Sequence, residues 1–425
     1  MSDFFRLAIF EYKKILKRKN TCVSLLMILI VLVFLVISSI TGADYWHSEG
    51  GTPVFEAMKL DKEVVCSKTG IIDEAFIKEA IGQNAVMLAD DKNYVINDYG
   101  KHLKSSAYIK YILPYKNAVN IINSIYETNP VNLSTNGFQI INMSSIKPID
   151  TLSLNDAKNF YTDINKAASN YISNLTFLSQ NEKNTHLEML SRVETPYRND
   201  HYDGYLHFNM SLQVIALIIF IVIAICISPI FANEYYMKTD QIILSSKYGK
   251  SKVIFAKLFT GISFSVGISF VTIFVFLLSM LSVHGFNGAD MAIQTIDVYS
   301  TYPVNLLQAS LIAAAVTVFT ALLFGMLSML LSSLLKSSFL SVIISFLILL
   351  LPAIINVSPK DRLLYQILQV FPARAAQFSN IFSNYMFEFF GFIFTPAKFY
   401  IIFSIIGTLL LVPLAKNAFK NHQIG

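Results

Sequence analysis

The residues with the clearest potential for chemistry resemble the end of a phosphate-binding loop. Gly249, Lys250 and Ser251 match the last three positions of a P-loop, in which a glycine-rich backbone cradles phosphates and a lysine reaches them. The full motif places a glycine at position 244, where this chain has Leu244, and a hydrophobic strand before the loop. Here a long apolar run precedes the loop instead. We therefore reject a nucleotide site in this chain.

The histidines and cysteines indicate neither a metal site nor a redox site. No His-Glu-x-x-His pair and no Gly-x-Ser-x-Gly elbow occurs in the chain. Four of the seven histidines are expected to be solvated rather than metal ligands: His102, His186, His201 and His207. Cys22 and Cys226 lie in apolar runs, which leaves Cys66 as an idle thiol or, alternatively, as a link between two copies of the chain. No catalytic residues and no metal are predicted.

Composition indicates a protein with several membrane spans. Hydrophobic residues make up 54% of the 425 residues and charged residues only 14%, whereas soluble domains carry about 25% charged residues. A helix needs about 20 mainly apolar residues to cross a bilayer. Six charge-free runs approach or exceed this length: residues 21–40, 212–232, 258–283, 304–335, 337–357 and 399–415. We expect Pro352 to kink or end the fifth helix.

The distribution of charge predicts the orientation of the chain in the membrane. We summed the charges of the segments outside the spans for each side of the membrane. The side that contains both termini carries a net charge of +10, and the opposite side carries −5. Lys and Arg are enriched in cytoplasmic segments, so both termini are predicted to be cytoplasmic. The six runs contain no Asp, Glu, Lys or Arg, although such residues usually mark ion-coupled relays. Any transport is therefore expected to draw its energy from outside the bilayer.

The predicted fold is an all-α membrane protein with six transmembrane helices. Residues 1–20 place apolar and basic residues on opposite helical faces, which predicts a cytoplasmic helix in the membrane interface; basic charges beside an anchor are the plainer alternative. The first transmembrane helix takes residues 21–42. Residues 43–210 are long enough for an external domain, and their periodicity is mostly helical. Residues 211–425 form the remaining five-helix region.

The segment between the second and third spans, residues 233–257, has the pattern of a short amphipathic helix. Glu234 precedes a group of apolar residues that ends at Leu244, Gly249 turns the chain, and three lysines lead into the third span. Such a helix can fit a groove on a soluble partner and transmit the partner's motion. The alternative is a basic loop without a partner.

This loop resembles the coupling region of ABC type 2 exporter permeases, where Glu and Thr precede a Leu-Ser stretch, a Gly-Lys or Gly-Arg pair and a lysine before the third span. The matching positions are Glu234, Thr239, Leu244, Ser245, Gly249, Lys250 and Lys257. The predicted ATPase-coupling site also includes Lys238 and Lys252. Lys238 stands where the family often has glycine, and the turn has no proline. The six-span layout and the large domain after the first span resemble the family as well.

The resemblance implies a permease half that forms a homodimer or pairs with a second permease, surrounded by membrane lipids. A separate ABC ATPase subunit would bind ATP and Mg²⁺, and this chain would hold no cofactor and no nucleic acid. We expect this chain to export an amphiphilic substrate, such as a peptide, a lipid or a drug, across a bacterial plasma membrane. Part of residues 358–398 would form a re-entrant hairpin, a plain external loop being the alternative. Small residues expected to allow close helix packing are Ser263, Gly267, Ala321 and Gly325.

A membrane receptor or scaffold that acts through its external domain is the alternative from another functional class. Six spans are more than an anchor needs, which counts against this alternative. The coupling loop discriminates between the two classes, because an exporter needs it for contact with the ATPase and a receptor should tolerate changes there.

Overall fold

Amphipathic and apolar patterns fold the start of the chain into two consecutive helices. The computed structural model describes residues 3–48, 51–97, 100–126, 148–246, 248–389 and 391–421. Helix α1 runs over Asp3–Leu16 and helix α2 over Lys19–Thr41. The exposed apolar side chains of α1 are Phe5, Ile9, Phe10 and Leu16. An apolar face without protein cover is typical of a helix in a membrane interface.

The chain after α2 folds into an inserted unit, formed by the described residues of 35–207 and 279–310. Its helices are α3 Val54–Cys66, α4 Glu74–Ala89, α5 Ser105–Tyr111, α6 Lys116–Ile125, α7 Phe160–Asn174 and α8 Gln180–Leu190. Two short antiparallel strand pairs join β1 (Gly70–Ile71) to β4 (Arg198–Asn199) and β2 (Tyr94–Asn97) to β3 (Gly100–Leu103). The described part of this unit is thus mainly helical, with a core between α4, α6 and α7.

Two of the four histidines that we expected to be solvated are buried in this unit. His186 has no exposed surface, and its Nδ1 lies 2.7 Å from the hydroxyl of Thr301. His201 is 2% exposed, and its Nε2 lies 3.0 Å from a carboxylate oxygen of Asp203. A polar partner offsets the cost of removing each ring from water, so the prediction of solvated side chains was wrong for these two.

The link between the third and fourth spans, residues 284–303, belongs to the inserted unit. The amide of Gln294 donates to the carbonyl oxygens of Ser300 (3.0 Å) and Tyr302 (2.9 Å) and so fixes the conformation of the link. The hydroxyl of Tyr299 donates to the carbonyl oxygen of Ser124 in α6 at 2.9 Å. These bonds use polar side chains, which leave no periodic signal in the sequence.

Most residues of the long helices lie in a span unit, formed by the described residues of 1–34, 208–278 and 311–425. Its next helices are α9 Asp203–Ile227, α10 Pro229–Tyr236, α11 Asp240–Ser245, α12 Ile254–His284, α13 Leu306–Leu335 and α14 Ser338–Ile354. Among the described residues, five helical segments are long and apolar enough to cross a membrane: Lys19–Thr41, Asp203–Tyr236, Gly249–His284, Leu306–Leu335 and Pro396–Lys420. The protein is therefore a helical membrane protein.

The fifth of the six predicted spans corresponds to α14, which is apolar but has only 17 residues. At about 1.5 Å per residue it is about 25 Å long, somewhat less than the hydrocarbon thickness of roughly 30 Å. Pro352 lies two residues before its end, where the missing N–H was expected to end the helix. Nε of Arg374 donates to the carbonyl oxygen of Pro352 at 2.9 Å and satisfies part of this helix end.

The aromatic segment before the last span forms short elements. They are α15 Arg362–Gln369, α16 Pro372–Ala375, α17 Phe378–Ile381, and an antiparallel pair of β5 Phe387–Phe389 with β6 Phe392–Phe394. Helix α18, Pro396–Lys420, follows. The ring of Phe399 in α18 stacks on Phe387 with centroids 4.0 Å apart, which packs the strand pair against the start of the last span.

Candidate functional site: an ion cluster behind the coupling loop

The second span is broken just before the coupling loop. Helix α9 ends two residues before Pro229, which has no N–H to donate and begins α10. The first N–H groups of a new helix need acceptors outside that helix. The hydroxyl oxygen of Ser332 in α13 accepts from the N–H groups of Phe231 (3.1 Å) and Ala232 (3.0 Å). Helix α13 thereby fixes the direction of α10, which carries Glu234.

Replacing Ser332 with alanine is expected to lower the free energy of unfolding by about 2 kcal/mol, because an unsatisfied buried donor costs about 1–3 kcal/mol. Thermal unfolding of the purified protein in detergent measures the change. Ser333→Ala is the matched control, since the Ser333 hydroxyl donates only to the carbonyl of Leu330 in its own helix, at 2.8 Å. Equal losses in the two variants would show that Ser332 does not support α10.

Helix α10 ends in a Schellman turn that folds Thr239 back onto Glu234. The N–H of Thr239 donates to the carbonyl oxygen of Glu234 (3.0 Å), and that of Lys238 to the carbonyl oxygen of Tyr235 (3.1 Å). The hydroxyl of Thr239 also donates to the Glu234 carboxylate. Lys238 has a φ of 55°, in the left-handed region that favours glycine. The turn therefore favours glycine at this position, where the chain has Lys238.

Replacing Lys238 with glycine is expected to raise the free energy of unfolding by about 1 kcal/mol, because the left-handed conformation costs a residue with a Cβ about 1–2 kcal/mol. The greater freedom of glycine in the unfolded chain offsets part of this gain. Lys238→Ala is the control, since it removes the ammonium group and keeps the Cβ. Unfolding in detergent should separate the two variants, and equal stability would contradict a cost from the backbone.

The rest of the loop combines a short helix with a tight turn. Leu244 in α11 is 8% exposed and packs inward. A Cβ at Gly249 would lie only 1.5 Å from the carbonyl oxygen of Ile243, so the close approach of the two backbones requires glycine. One π-helical turn, Gly249–Val253, then leads into α12. Leu244 and Gly249 therefore hold the loop in shape, and the structure describes the whole loop except residue 247.

Four charged side chains meet where α1, α10 and α12 pack together, and we call them the ion cluster: Glu11, Lys14, Glu234 and Lys257. Nζ of Lys257, which has no exposed surface, lies 2.9 Å from Oε2 of Glu11 and 2.8 Å from Oε1 of Glu234. It also donates to the carbonyl oxygen of Ile230 at 3.2 Å. Nζ of Lys14 lies 2.8 Å from the same Oε1 of Glu234 and 3.3 Å from Oε1 of Glu11.

The ion cluster is balanced in charge and in hydrogen bonds. Its two carboxylates face two ammonium groups, and the three contacts of Lys257 match the three N–H donors of an ammonium. Burial opposes the charge of Lys14, but its hydrogen bond to Glu234 and the charges of Glu11 and Glu234 outweigh this and raise the pKa of Lys14. Removing one member would leave a buried charge unpaired, which costs about 3–5 kcal/mol.

Helix α1 is attached to the start of the third span by a row of polar contacts. Lys257, Thr260 and Ser263 follow one face of α12 at three-residue spacing. Thr260 donates its hydroxyl to the carbonyl oxygen of Ala8 at 3.3 Å, and Ser263 accepts from the hydroxyl of Tyr12 at 2.6 Å. Together with the ion pair between Lys257 and Glu11, these contacts attach α1 to the start of the third span, so that the two are expected to move together.

The sequence analysis missed Glu11 and Lys14. The available signal was the position of Glu11, three residues after Ala8 and four before Ile15, on the one helical face that α1 buries. An acidic residue on the buried face of a basic amphipathic helix requires a cationic partner. The partner could not be identified from α1 alone, because Lys257 lies far along the chain.

The predicted coupling residues differ in how far their side chains are exposed. Glu234, Leu244, Gly249 and Lys257 are buried, Thr239 and Lys252 are half-buried, and Lys238 and Lys250 are exposed. The predicted coupling site omits the most exposed apolar side chains of the loop, although Ile242 belongs to the apolar group that ends at Leu244. These are Tyr236 (82% exposed), Met237 (62%) and Ile242 (70%), and we call them the loop face. The loop face is accessible to a partner, whereas the ion cluster contains the buried residues Glu234 and Lys257 of the same loop.

The small residues predicted to allow helix packing behave differently from one another. A Cβ at Gly325 in α13 would lie 2.1 Å from Oγ of Ser265, so α13 packs closely on α12 there, and Ala321 is fully buried. Ser263 contacts α1 through Tyr12. A Cβ at Gly267 would meet nothing within 4 Å, so this glycine makes no close helix contact within the described part of the chain.

Comparison with known proteins gives independent evidence of the family. The sequence profile described as "ABC-2 family transporter protein" matches residues 11–358, which include the whole ion cluster and the loop face. No curated protein and no solved structure gives a significant match. The match covers most of the chain, and the helical membrane spans agree with it. The chain belongs to the ABC-2 transporter family.

Proposed function

We propose that this chain is the permease half of an ATP-driven exporter in a bacterial plasma membrane. Membership of the ABC-2 transporter family supports a transmembrane subunit of an ABC transporter. Two such halves, identical or paired with a related chain, would enclose the substrate path with six spans each. A separate ABC ATPase would bind ATP and Mg²⁺ on the cytoplasmic face, where both termini of this chain lie.

The loop face is the observation that carries this proposal. Three large apolar side chains of the loop, Tyr236, Met237 and Ile242, are 62–82% exposed, whereas Leu244 is buried. Exposed apolar groups on a short helix are typical of a segment that fits a groove on a partner. The net charge of +10 summed over the segments on the loop's side of the membrane supports a cytoplasmic location of the loop, where ATP is available.

The ion cluster provides a physical route from the loop to the spans. A partner that moves α11 pulls on the Schellman turn, where Thr239 is bonded to Glu234. Glu234 shares Lys257 with Glu11, so the displacement reaches the third span and α1 together. Because separating these charges inside the protein is costly, the three helices move as one.

We further propose that the substrate is amphiphilic, such as a peptide, a lipid or a drug, and that residues 43–210 lie outside the cell and control its access. The apolar spans without ionisable residues in their central parts support a path for an apolar or amphiphilic substrate rather than for an ion. Within the described residues no group of three or more His, Cys, Asp or Glu could hold a metal ion.

Gentle purification of the tagged protein from its native membrane, followed by mass spectrometry of what accompanies it, tests the proposed function. We expect a P-loop ATPase of the ABC type in stoichiometric amount. Vesicles that contain both proteins should then move a fluorescent amphiphile in an ATP-dependent manner. Reproducible absence of an ATPase, together with a bound extracellular or signalling protein, would contradict the exporter and favour a receptor.

A further inference from the structure

A groove of about 470 Å³ on the span unit lies beside the N-terminal end of α1. Phe4 of α1 and Val412 of α18 line it. Phe255, Phe259 and Ile262 of α12 line it as well. The exposed walls are apolar, and the volume is within the range of about 300–1,000 Å³ that small-molecule sites have.

The lining residues of the third span cover a length similar to that of one leaflet of a bilayer. They run from Lys252, near the start of the third span, to Ile262, and we call the end at Lys252 the mouth of the groove. Ten residues at about 1.5 Å each give about 15 Å, half of a hydrocarbon core about 30 Å thick. The uncovered apolar side chains of α1, among them Phe5 and Phe10, place the mouth of the groove at the membrane interface.

Two ammonium groups stand at the mouth beside Phe255. Lys252 lines the groove, and Nζ of Lys416 lies 4.6 Å from the centre of the Phe255 ring. Nζ of Lys252 is also 3.3 Å from a carboxylate oxygen of Asp3, in an exposed pair. An ammonium has three donors, so Lys252 can keep this contact and bind another anion.

We propose that the groove binds one acyl chain of an anionic phospholipid from the leaflet on the side of α1, with the lipid phosphate between Lys252 and Lys416. The apolar groove, about as long as one leaflet, would hold the acyl chain. The two lysines at its mouth would bind the negatively charged phosphate. The lipid would hold Phe4, and with it α1, against the third and last spans. This inference concerns lipid binding and does not depend on the proposed transport.

Native mass spectrometry of the purified full-length protein titrated with phosphatidylglycerol or phosphatidylcholine tests the inference. We expect the first phosphatidylglycerol to bind more tightly than phosphatidylcholine. Replacing both Lys252 and Lys416 with alanine should weaken the first phosphatidylglycerol by about 30-fold, since each lysine near a membrane surface contributes about fivefold. Lys13→Ala with Lys17→Ala removes the same charge from α1 outside the groove and should leave the affinity for the first lipid unchanged.

A second variant keeps the inference testable if the lysine variant is unstable. Ile262→Trp fills the groove and should abolish tight binding of the first lipid, whereas Leu409→Trp, on an exposed face of α18, should not. Equal phosphatidylglycerol affinity in the wild type and both groove variants would overturn the inference. Displacement of the lipid by millimolar inorganic phosphate would also overturn it, because the site would then select a free anion rather than a lipid.

Discussion

Replacing Lys257 with methionine is expected to abolish ATP-driven transport and to lower the free energy of unfolding by about 3–5 kcal/mol. Methionine fills a similar volume but cannot pair with the carboxylates that lie 2.9 Å and 2.8 Å from Nζ. Glu11 and Glu234 would then share only Lys14, and one negative charge would stay buried and unpaired. Unfolding in detergent and transport in vesicles with the ATPase measure the two effects.

A second substitution tests whether the loss comes from charge imbalance. Glu11→Gln in the Lys257→Met background restores neutrality, so the double variant should recover about 1–2 kcal/mol relative to the single variant. Transport should remain low, because α1 is no longer tied to the third span by an ion pair. Lys78→Met is the control, since Lys78 and Glu74 form an exposed pair at 2.6 Å whose loss should cost less than about 0.5 kcal/mol. If the double variant loses as much stability as Lys257→Met and Glu11→Gln lose separately when added together, the two residues do not interact as a buried ion pair.

Replacing Ile242 with aspartate is expected to weaken binding of the ATPase at least about 30-fold, because a central interface residue contributes 2 kcal/mol or more. The Ile242 side chain is 70% exposed in the free chain, so the substitution should leave membrane insertion and unfolding unchanged. Transport should fall with binding. Affinity for the purified ATPase in detergent is the measurement.

Two matched variants separate loss of the apolar contact from the added charge. Gln241→Asp adds the same charge to the neighbouring exposed position and should weaken binding much less. Ile242→Leu keeps the apolar volume and should bind as the wild type does. If Ile242→Asp binds the ATPase normally, the loop face does not dock the ATPase.

The positions of the long helices could be predicted closely from the sequence. A bilayer requires every backbone polar group to be satisfied within the helix, so an apolar run of sufficient length has few alternatives. Residues 21–40 became α2, Lys19–Thr41, and residues 258–283 became most of α12, Ile254–His284. The family resemblance, which was based on seven positions of the coupling loop and on the layout of the chain, is confirmed by the match over residues 11–358.

The ion cluster and the break in the second span could not be predicted, because each depends on partners from distant segments. Pro229 was visible in the sequence, but the acceptor that satisfies α10, Ser332, lies in another helix. Glu234 and Lys257 were assigned by resemblance to the ATPase-coupling site, which stays a prediction, but the resemblance gave no sign that both are buried and that Lys257 pairs with Glu11 as well as with Glu234. A sequence pattern identifies the face that a helix buries. It does not identify the residues of other helices that pack against that face, because these depend on the fold.

Photo-crosslinking from position 242 in native membranes tests most directly whether this chain is driven through its coupling loop. A photoreactive amino acid replaces Ile242 in one variant and Ile96, an equally exposed residue of the inserted unit, in another. We predict that position 242 forms an adduct with a P-loop ATPase of the ABC type and that position 96 forms none. An adduct of position 242 with lipid or with a signalling protein, and none with an ATPase, would contradict the account.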